Sequence, residues 1–138
     1  MLETNNFRTG RHCVFAMHAH LVFVAKYRLD IFTAPVLSAL RPVFAKVCSD
    51  FEVQLVSFEG ERDHVHRLVN YPPQVSVSKL VNSLKGVSSR RLRQDCPEVA
   101  KHYWKKKVLW SPSYFASSCG GAPLELIKQY IAQQERPK

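Results

Sequence analysis

The stretch Glu52–Tyr71, EVQLVSFEGERDHVHRLVNY, decides the fold. Two runs rich in Val, Leu and Phe, Glu52–Glu59 and His64–Tyr71, are parted only by Gly60-Glu61-Arg62-Asp63. A link that short cannot carry the chain back for parallel pairing, so the sequence predicts an antiparallel hairpin. Pro72-Pro73 stops the second strand, because proline has no N–H for a ladder.

Helices are expected on both sides of this hairpin. Upstream, Val36, Leu37, Leu40, Phe44 and Val47 recur at helical spacing from a start at Ala34-Pro35. Thr33 can cap that helix, and Pro42 inside it should kink it. Before it, Cys13–Lys26 (CVFAMHAHLVFVAK) reads as one long buried strand. Downstream, Val77, Leu80, Val81, Leu84 and Val87 mark a helical stripe that runs from Ser76 to Leu92, and Cys96-Pro97 ends it. A fourth strand is expected within Val108–Cys119. Beyond Gly120-Gly121 a last helix, residues 122–136, starts with Pro123 in its first turn. The order strand, helix, strand, strand, helix, strand is that of a ferredoxin-like α+β sandwich. It implies an antiparallel sheet with helices packed on one face, plus an added C-terminal helix. The 138 residues make one domain, with residues 1–12 expected to be flexible.

Composition points to a partner. Lys and Arg number 20 against 11 Asp and Glu, a formal charge of +9, which predicts a polyanion, nucleic acid before acidic membrane. A small neutral metabolite is a poor match. Cys13, Cys48, Cys96 and Cys119 include no Cys-x-x-Cys pair, so a structural zinc site is not expected. Free thiols in a reducing cytoplasm are the simplest reading. The polar start Met1–Asn6 is not that of a signal peptide, and no apolar run has membrane-spanning length. No Gly-rich phosphate loop, Gly-x-Ser-x-Gly elbow or carboxylate pair is present.

His64-Val65-His66 is the sharpest chemical signal. Alternate residues of a strand share a face, so both imidazoles can reach one metal ion; two ordinary histidines on a surface hairpin are the plain alternative. His18 and His20 form a similar pair, read as structural or as support for the site. On the last helix Tyr130 and Gln134 are four apart and share a face, at the border of the stripe Leu124, Ile127, Ile131. A tyrosine there is either a packing residue or a reactive one. Lys79, Arg90 and Arg93 lie opposite the apolar stripe of their helix. With Lys85, Arg91 and the run Lys105, Lys106, Lys107 beside Tyr103 and Trp104, they are candidate DNA contacts or a solvated surface.

Taken together these residues resemble a family. Asp63-His64-Val65-His66 is joined by His20-Leu21-Val22-Phe23-Val24, Lys26-Tyr27-Arg28 and VSKLVNSLKGVSSRRLR (Val77–Arg93). Then follow Leu109–Phe115 (LWSPSYF), Gly120–Glu125 (GGAPLE), Lys128-Gln129-Tyr130-Ile131 and Gln134. In this order the blocks resemble the small single-tyrosine HUH transposases of bacterial insertion sequences, including their relatives associated with repeated palindromes. The resemblance implies a metal held by His64, His66 and Gln134, with Mg²⁺ or Mn²⁺ as the ion. It implies Tyr130 as the nucleophile, which forms a 5′-phosphotyrosine with single-stranded DNA and frees a 3′-hydroxyl. It also implies a homodimer that recognises DNA hairpins, with Tyr130 of one chain beside the histidines of the other. The alternative within the same fold is a non-catalytic or domesticated hairpin-binding protein. A plain hydrolytic metal nuclease is a further rival.

Two residues depart from the family pattern. Arg67 stands where an apolar residue is usual, and its side chain should leave the strand opposite His66, toward the sheet–helix core, where an unpaired charge is costly. Arg62 replaces an acidic or neutral residue.

Overall fold

The computed structural model describes residues 8–103, 108–118 and 124–134. Its elements are β1 (Arg8–Gly10), β2 (Cys13–Phe15), β3 (His18–Val24), α1 (Ala34–Asp50), β4 (Gln54–Gly60) and β5 (His64–Asn70). They continue with α2 (Val77–Asp95), α3 (Pro97–Ala100), β6 (Phe115–Ser118) and α4 (Leu124–Gln133). Four strands form one antiparallel sheet in the order β4-β5-β3-β6. This is the α+β sandwich read from the sequence, with the expected hairpin at β4-β5.

The pleat sorts side chains between the two faces. Ala19, Leu21, Phe23, Val65 and Val69 join Val36, Leu40 and Phe44 of α1 and Leu80, Val81 and Leu84 of α2 in one buried cluster. The alternate residues of β3, Val22 and Val24, are fully buried on the other face, under Phe115, Tyr130 and Ile131. Caps hold the long helices at their starts: Thr33 Oγ1 accepts from Val36 N at 3.4 Å, and Ser76 Oγ from Lys79 N at 3.3 Å.

Several boundaries differ from the sequence reading. The long strand Cys13–Lys26 divides, because Cys13–Phe15 finds a nearer partner in β1 and only His18–Val24 enters the main sheet. Arg8–Gly10, expected in a flexible leader, is therefore a strand. The Arg8 guanidinium pins it by donating to Asn70 O and Oδ1, each at 3.1 Å, and to Glu52 O at 2.9 Å. Pro42 does not end α1. The carbonyl it leaves without an N–H donor belongs to Ser38, which is exposed, while Leu40 and Phe44 hold both halves in the same core. The short α3 was not anticipated. Of the expected last helix, residues 122–136, the described part is helical over Leu124–Gln133, Gln134 lies just past its end, and residues 122, 123, 135 and 136 lie outside the described residues.

Arg67 does point into the sheet–helix core, where it is fully buried. Its guanidinium carbon lies 3.6 Å from the centroid of the Phe23 ring and 4.8 Å from that of Phe44. Nη1 makes one long bond, 3.4 Å, to Val65 O; Nε and Nη2 find no partner among the described residues. Burial pulls its pKa down to about 9, and it remains a cation at neutral pH. Two ring faces therefore do much of what hydrogen bonds would do elsewhere. Arg62 is exposed and brings no such cost.

Candidate active site

Alternation along β5 puts His64 and His66 on the sheet face away from α1 and α2. Across the ladder they stand opposite Val24 and Val22. His64 Nδ1 donates to Asp63 Oδ1 at 2.9 Å, and Arg28 Nε donates to Asp63 Oδ2 at 3.1 Å. Burial alone would raise the Asp63 carboxyl, but the hydrogen bonds from His64 and Arg28, with their charges, outweigh it and its pKa is lowered. The carboxylate on Nδ1 orients the His64 ring and leaves Nε2 as the nitrogen that Asp63 does not engage. His66 Nε2 lies 3.1 Å from His20 Nδ1. Burial, then the neighbouring His20, lowers the His66 pKa, which keeps its ring in the neutral form that binds metals. Of the earlier histidine pair, His20 thus reaches the site. His18 does not, since its Nε2 meets the Asn70 amide at 3.1 Å.

α4 lies over the same face. Tyr130 and Ile131 pack on Val22 and Val24, the two residues directly across the ladder from the histidines. The Tyr130 ring is 5.7 Å from that of Phe115, and its hydroxyl is 2.7 Å from Ser113 Oγ. Burial raises the Tyr130 pKa and the Ser113 bond partly opposes it, so the phenol keeps its proton at neutral pH. Ser111 Oγ donates to Gln134 Oε1 at 2.7 Å, and Gln134 Nε2 donates to Tyr130 O at 3.2 Å. The loop Ser111-Pro112-Ser113 therefore holds both residues of interest on α4. The loop is itself held by Lys85, whose Nζ donates to the carbonyls of Ser111, Pro112 and Ser113 at 2.8, 3.3 and 2.9 Å.

The donors suit a divalent cation. Among the described residues no group of three or more His, Cys, Asp or Glu is placed to hold a metal. A metal at His64 and His66 would then need a further donor; the Gln134 amide, whose Oε1 accepts from Ser111 Oγ, is the neutral oxygen that would supply it. Two imidazoles and one amide leave the ion's charge uncompensated, as catalysis on a phosphate requires.

The expected DNA contacts divide. Lys79, Arg90 and Arg91 are exposed on α2, in the helix layer across the sheet from the histidines. Arg91 pairs weakly with Asp95 at 3.6 Å, and Arg93 is half-buried with Nε 3.4 Å from Ser89 Oγ. Lys85 leaves this group, because its ammonium is committed to the 111–113 loop. Lys105, Lys106 and Lys107 lie outside the described residues, as do Gly120 and Gly121. Sequence reasoning placed Ser111, Ser113, Asp63 and Arg28 within the blocks of the resemblance but gave none of them a role. Asp63 and Arg28 are legible only through the histidine they orient, and the serines only through the loop that folds under α4.

The chain is similar to known transposases in sequence and fold. The family described as "Transposase IS200 like" matches residues 13–134. The chain is 28% identical over 127 residues to the ISDra2 transposase TnpA of Deinococcus radiodurans, covering 92% of this chain and 90% of that one. It is 30% identical over 115 residues to the transposase for insertion sequence element IS200 of Salmonella typhimurium, covering 83% and 74%. A crystal structure of a candidate transposase from Deinococcus radiodurans superimposes with a TM-score of 0.86 at 29% identity, over 94% of this chain and 99% of that one. A REP-associated tyrosine transposase bound to a REP hairpin shares the fold, with a TM-score of 0.57 at 12% identity over 92% and 69%.

Proposed function

The chain belongs to the IS200-like transposase family, and on that premise we propose that it cleaves and rejoins single-stranded DNA at insertion-sequence ends through a phosphotyrosine on Tyr130. The observation that carries this reading is the placement of Tyr130 on Val22 and Val24, cross-strand neighbours of His66 and His64. A phenol, two imidazoles and an amide then share one sheet face. In the proposed step Tyr130 Oη attacks the scissile phosphorus, a new P–O bond forms, and the bond to the 3′-oxygen breaks. The phenolic proton leaves through the Ser113 hydroxyl, 2.7 Å away, which accepts it and passes its own proton to solvent, and the 3′-oxygen takes one proton from solvent to leave as a hydroxyl. A divalent cation, Mg²⁺ or Mn²⁺, held by His64, His66 and Gln134 would polarise the phosphate and stabilise its developing charge. The phosphotyrosine conserves the energy of the bond that broke, so rejoining needs no nucleotide cofactor.

DNA hairpins at the element ends are the proposed recognition feature. The exposed cations of α2 support it, since they face away from the site and leave the open face to the strand being cut. A homodimer is also proposed. Tyr130 of one subunit is proposed to serve His64 and His66 of the other, although within the single chain α4 rests on its own sheet. A mixed dimer of Tyr130→Phe with a His64→Ala, His66→Ala chain separates the two arrangements: an adduct on the histidine-mutant subunit shows exchange, and a silent mixed dimer that still binds the hairpin shows that each subunit completes its own site.

The direct test is incubation of the protein with Mn²⁺ and labelled single-stranded element ends, followed by denaturing gels and peptide mass spectrometry. A covalent adduct on Tyr130 is expected. An adduct on Tyr27, Tyr71, Tyr103 or Tyr114 would overturn the assignment, and hairpin binding without any adduct would favour the non-catalytic alternative.

A further inference from the structure

Beside the site lies a cavity of about 530 Å³, in the size range of small-molecule pockets. Its walls include Lys26, Tyr27, Ser111, Ser113, Gln133 and Gln134, and among the described residues no carboxylate lines it. It is continuous with the proposed chemistry, because Ser113 bonds the Tyr130 hydroxyl and Gln134 is the proposed amide ligand. A second observation marks the same wall. Tyr27 and Arg28 both adopt left-handed backbone angles, with φ of 64° and 53°. Non-glycine residues rarely hold that conformation, and it persists where the surroundings enforce it, often at functional sites. Arg28 uses it to reach Asp63, the orienting partner of His64. That leaves Tyr27, which lines the cavity, is partly buried against the core, and carries the Lys26 ammonium 5.3 Å from its ring centroid.

We propose that this cavity is the subsite for one nucleotide flanking the scissile phosphate, with its base against the Tyr27 ring and its phosphate paired with Lys26. The inference rests on the phosphotransfer reading above and adds the subsite that seats the strand. A ring supplies stacking for any base, a cation answers the phosphate, and hydroxyl and amide groups can meet base edges. The strained turn places ring and cation together beside the nucleophile.

The test is an NMR titration of the Tyr130→Phe protein with deoxythymidine 3′,5′-bisphosphate and its dA, dC and dG counterparts, with inorganic phosphate in parallel. Saturable amide shifts at Lys26, Tyr27, Ser111 and Ser113 are expected with the nucleotides. Tyr27→Asn keeps a residue that tolerates left-handed angles but removes the ring, and should weaken nucleotide binding about tenfold. Gln133→Trp, at an exposed lining position, should fill the mouth and cause a similar loss. Phosphate alone should be indifferent to Tyr27→Asn. Shifts confined to the outer face of α2, or unchanged affinity in both variants, would overturn the subsite. The two readings fail separately. An adduct in wild type without saturable nucleotide binding would sink only the subsite, and nucleotide binding without any adduct would sink only the transfer reaction.

Discussion

Arg67 and His66 are neighbours on β5, yet the two faces of the sheet treat them in opposite ways. On the helix side Arg67 is fully buried, with two nitrogens lacking partners among the described residues and two aromatic rings pressed against its charge. On the open side His66 and His64 meet His20 and Asp63, and the polar groups of α4 meet two serines. One face tolerates an ill-paired cation inside a tightly packed layer. The other spends its polar residues on mutual orientation. The contrast shows that a charge can be kept in a core by packing alone, whereas a reactive constellation needs directional partners.

Breaking the open face should have the largest effects. Tyr130→Phe removes only the hydroxyl, so adduct formation on single-stranded ends should fall below detection while DNA affinity changes less than about twofold, read by gel and anisotropy. His64→Ala or His66→Ala should slow cleavage by about a hundredfold or more at limiting Mn²⁺, and Gln134→Ala by about tenfold, since an amide is the weaker donor. Activity that persists in excess chelator would remove the metal from the account.

The join between the faces comes next. Lys85 reaches from α2 to the loop that holds Tyr130 and Gln134, so Lys85→Met should reduce the single-turnover rate about tenfold or more with little change in DNA affinity. Lys85→Arg should recover part of the loss. Burial, then the charge of Arg67, pushes the Lys85 pKa down to about 8 from its ordinary 10.5. Between those values the unfolded chain binds the extra proton, so stability should rise with pH there. The stability difference between wild type and Lys85→Met should therefore move in favour of wild type from pH 8 to 10.5, read by urea unfolding.

The helix side predicts smaller changes of the opposite sign. Arg67→Met removes an ill-paired buried cation while keeping much of its volume, and should raise stability by about 1–3 kcal/mol with cleavage unchanged. A loss of stability would show that the cation–ring contacts outweigh desolvation. Smallest of all, neutralising Lys79, Arg90 or Arg91 singly should lower the slope of log affinity against log salt by about 0.7–0.9 each. No change would make the outer face of α2 a solvated surface only.

What the sequence revealed follows from how local each feature is. The β4-β5 hairpin was legible because two apolar runs meet across four residues, and the His64/His66 face followed from strand alternation. Thr33 and Ser76 are caps that act on residues three positions away. By contrast, the break in Cys13–Lys26 depends on β1, whose three residues carry no pattern until Arg8 finds Asn70. The roles of Ser111, Ser113 and Lys85 arise from contacts between residues 17 to 28 positions apart in the chain. Arg67 lies between these cases, since alternation gave its direction but not the two rings that receive it.

β3 occupies the middle of the sheet and serves both layers at once. Leu21 and Phe23 fill the helix side, while His20, Val22 and Val24 floor the site, and five of its seven residues are buried. Under mutation and selection such a strand has no idle position, because a change on either side is felt by folding or by function. Lineages carrying this gene should therefore diverge most slowly in β3 and most freely along the outward turns of α1. Loss of mobility would first be recorded as drift in the even-numbered residues of this one strand, while its odd-numbered residues continue to be selected for the fold.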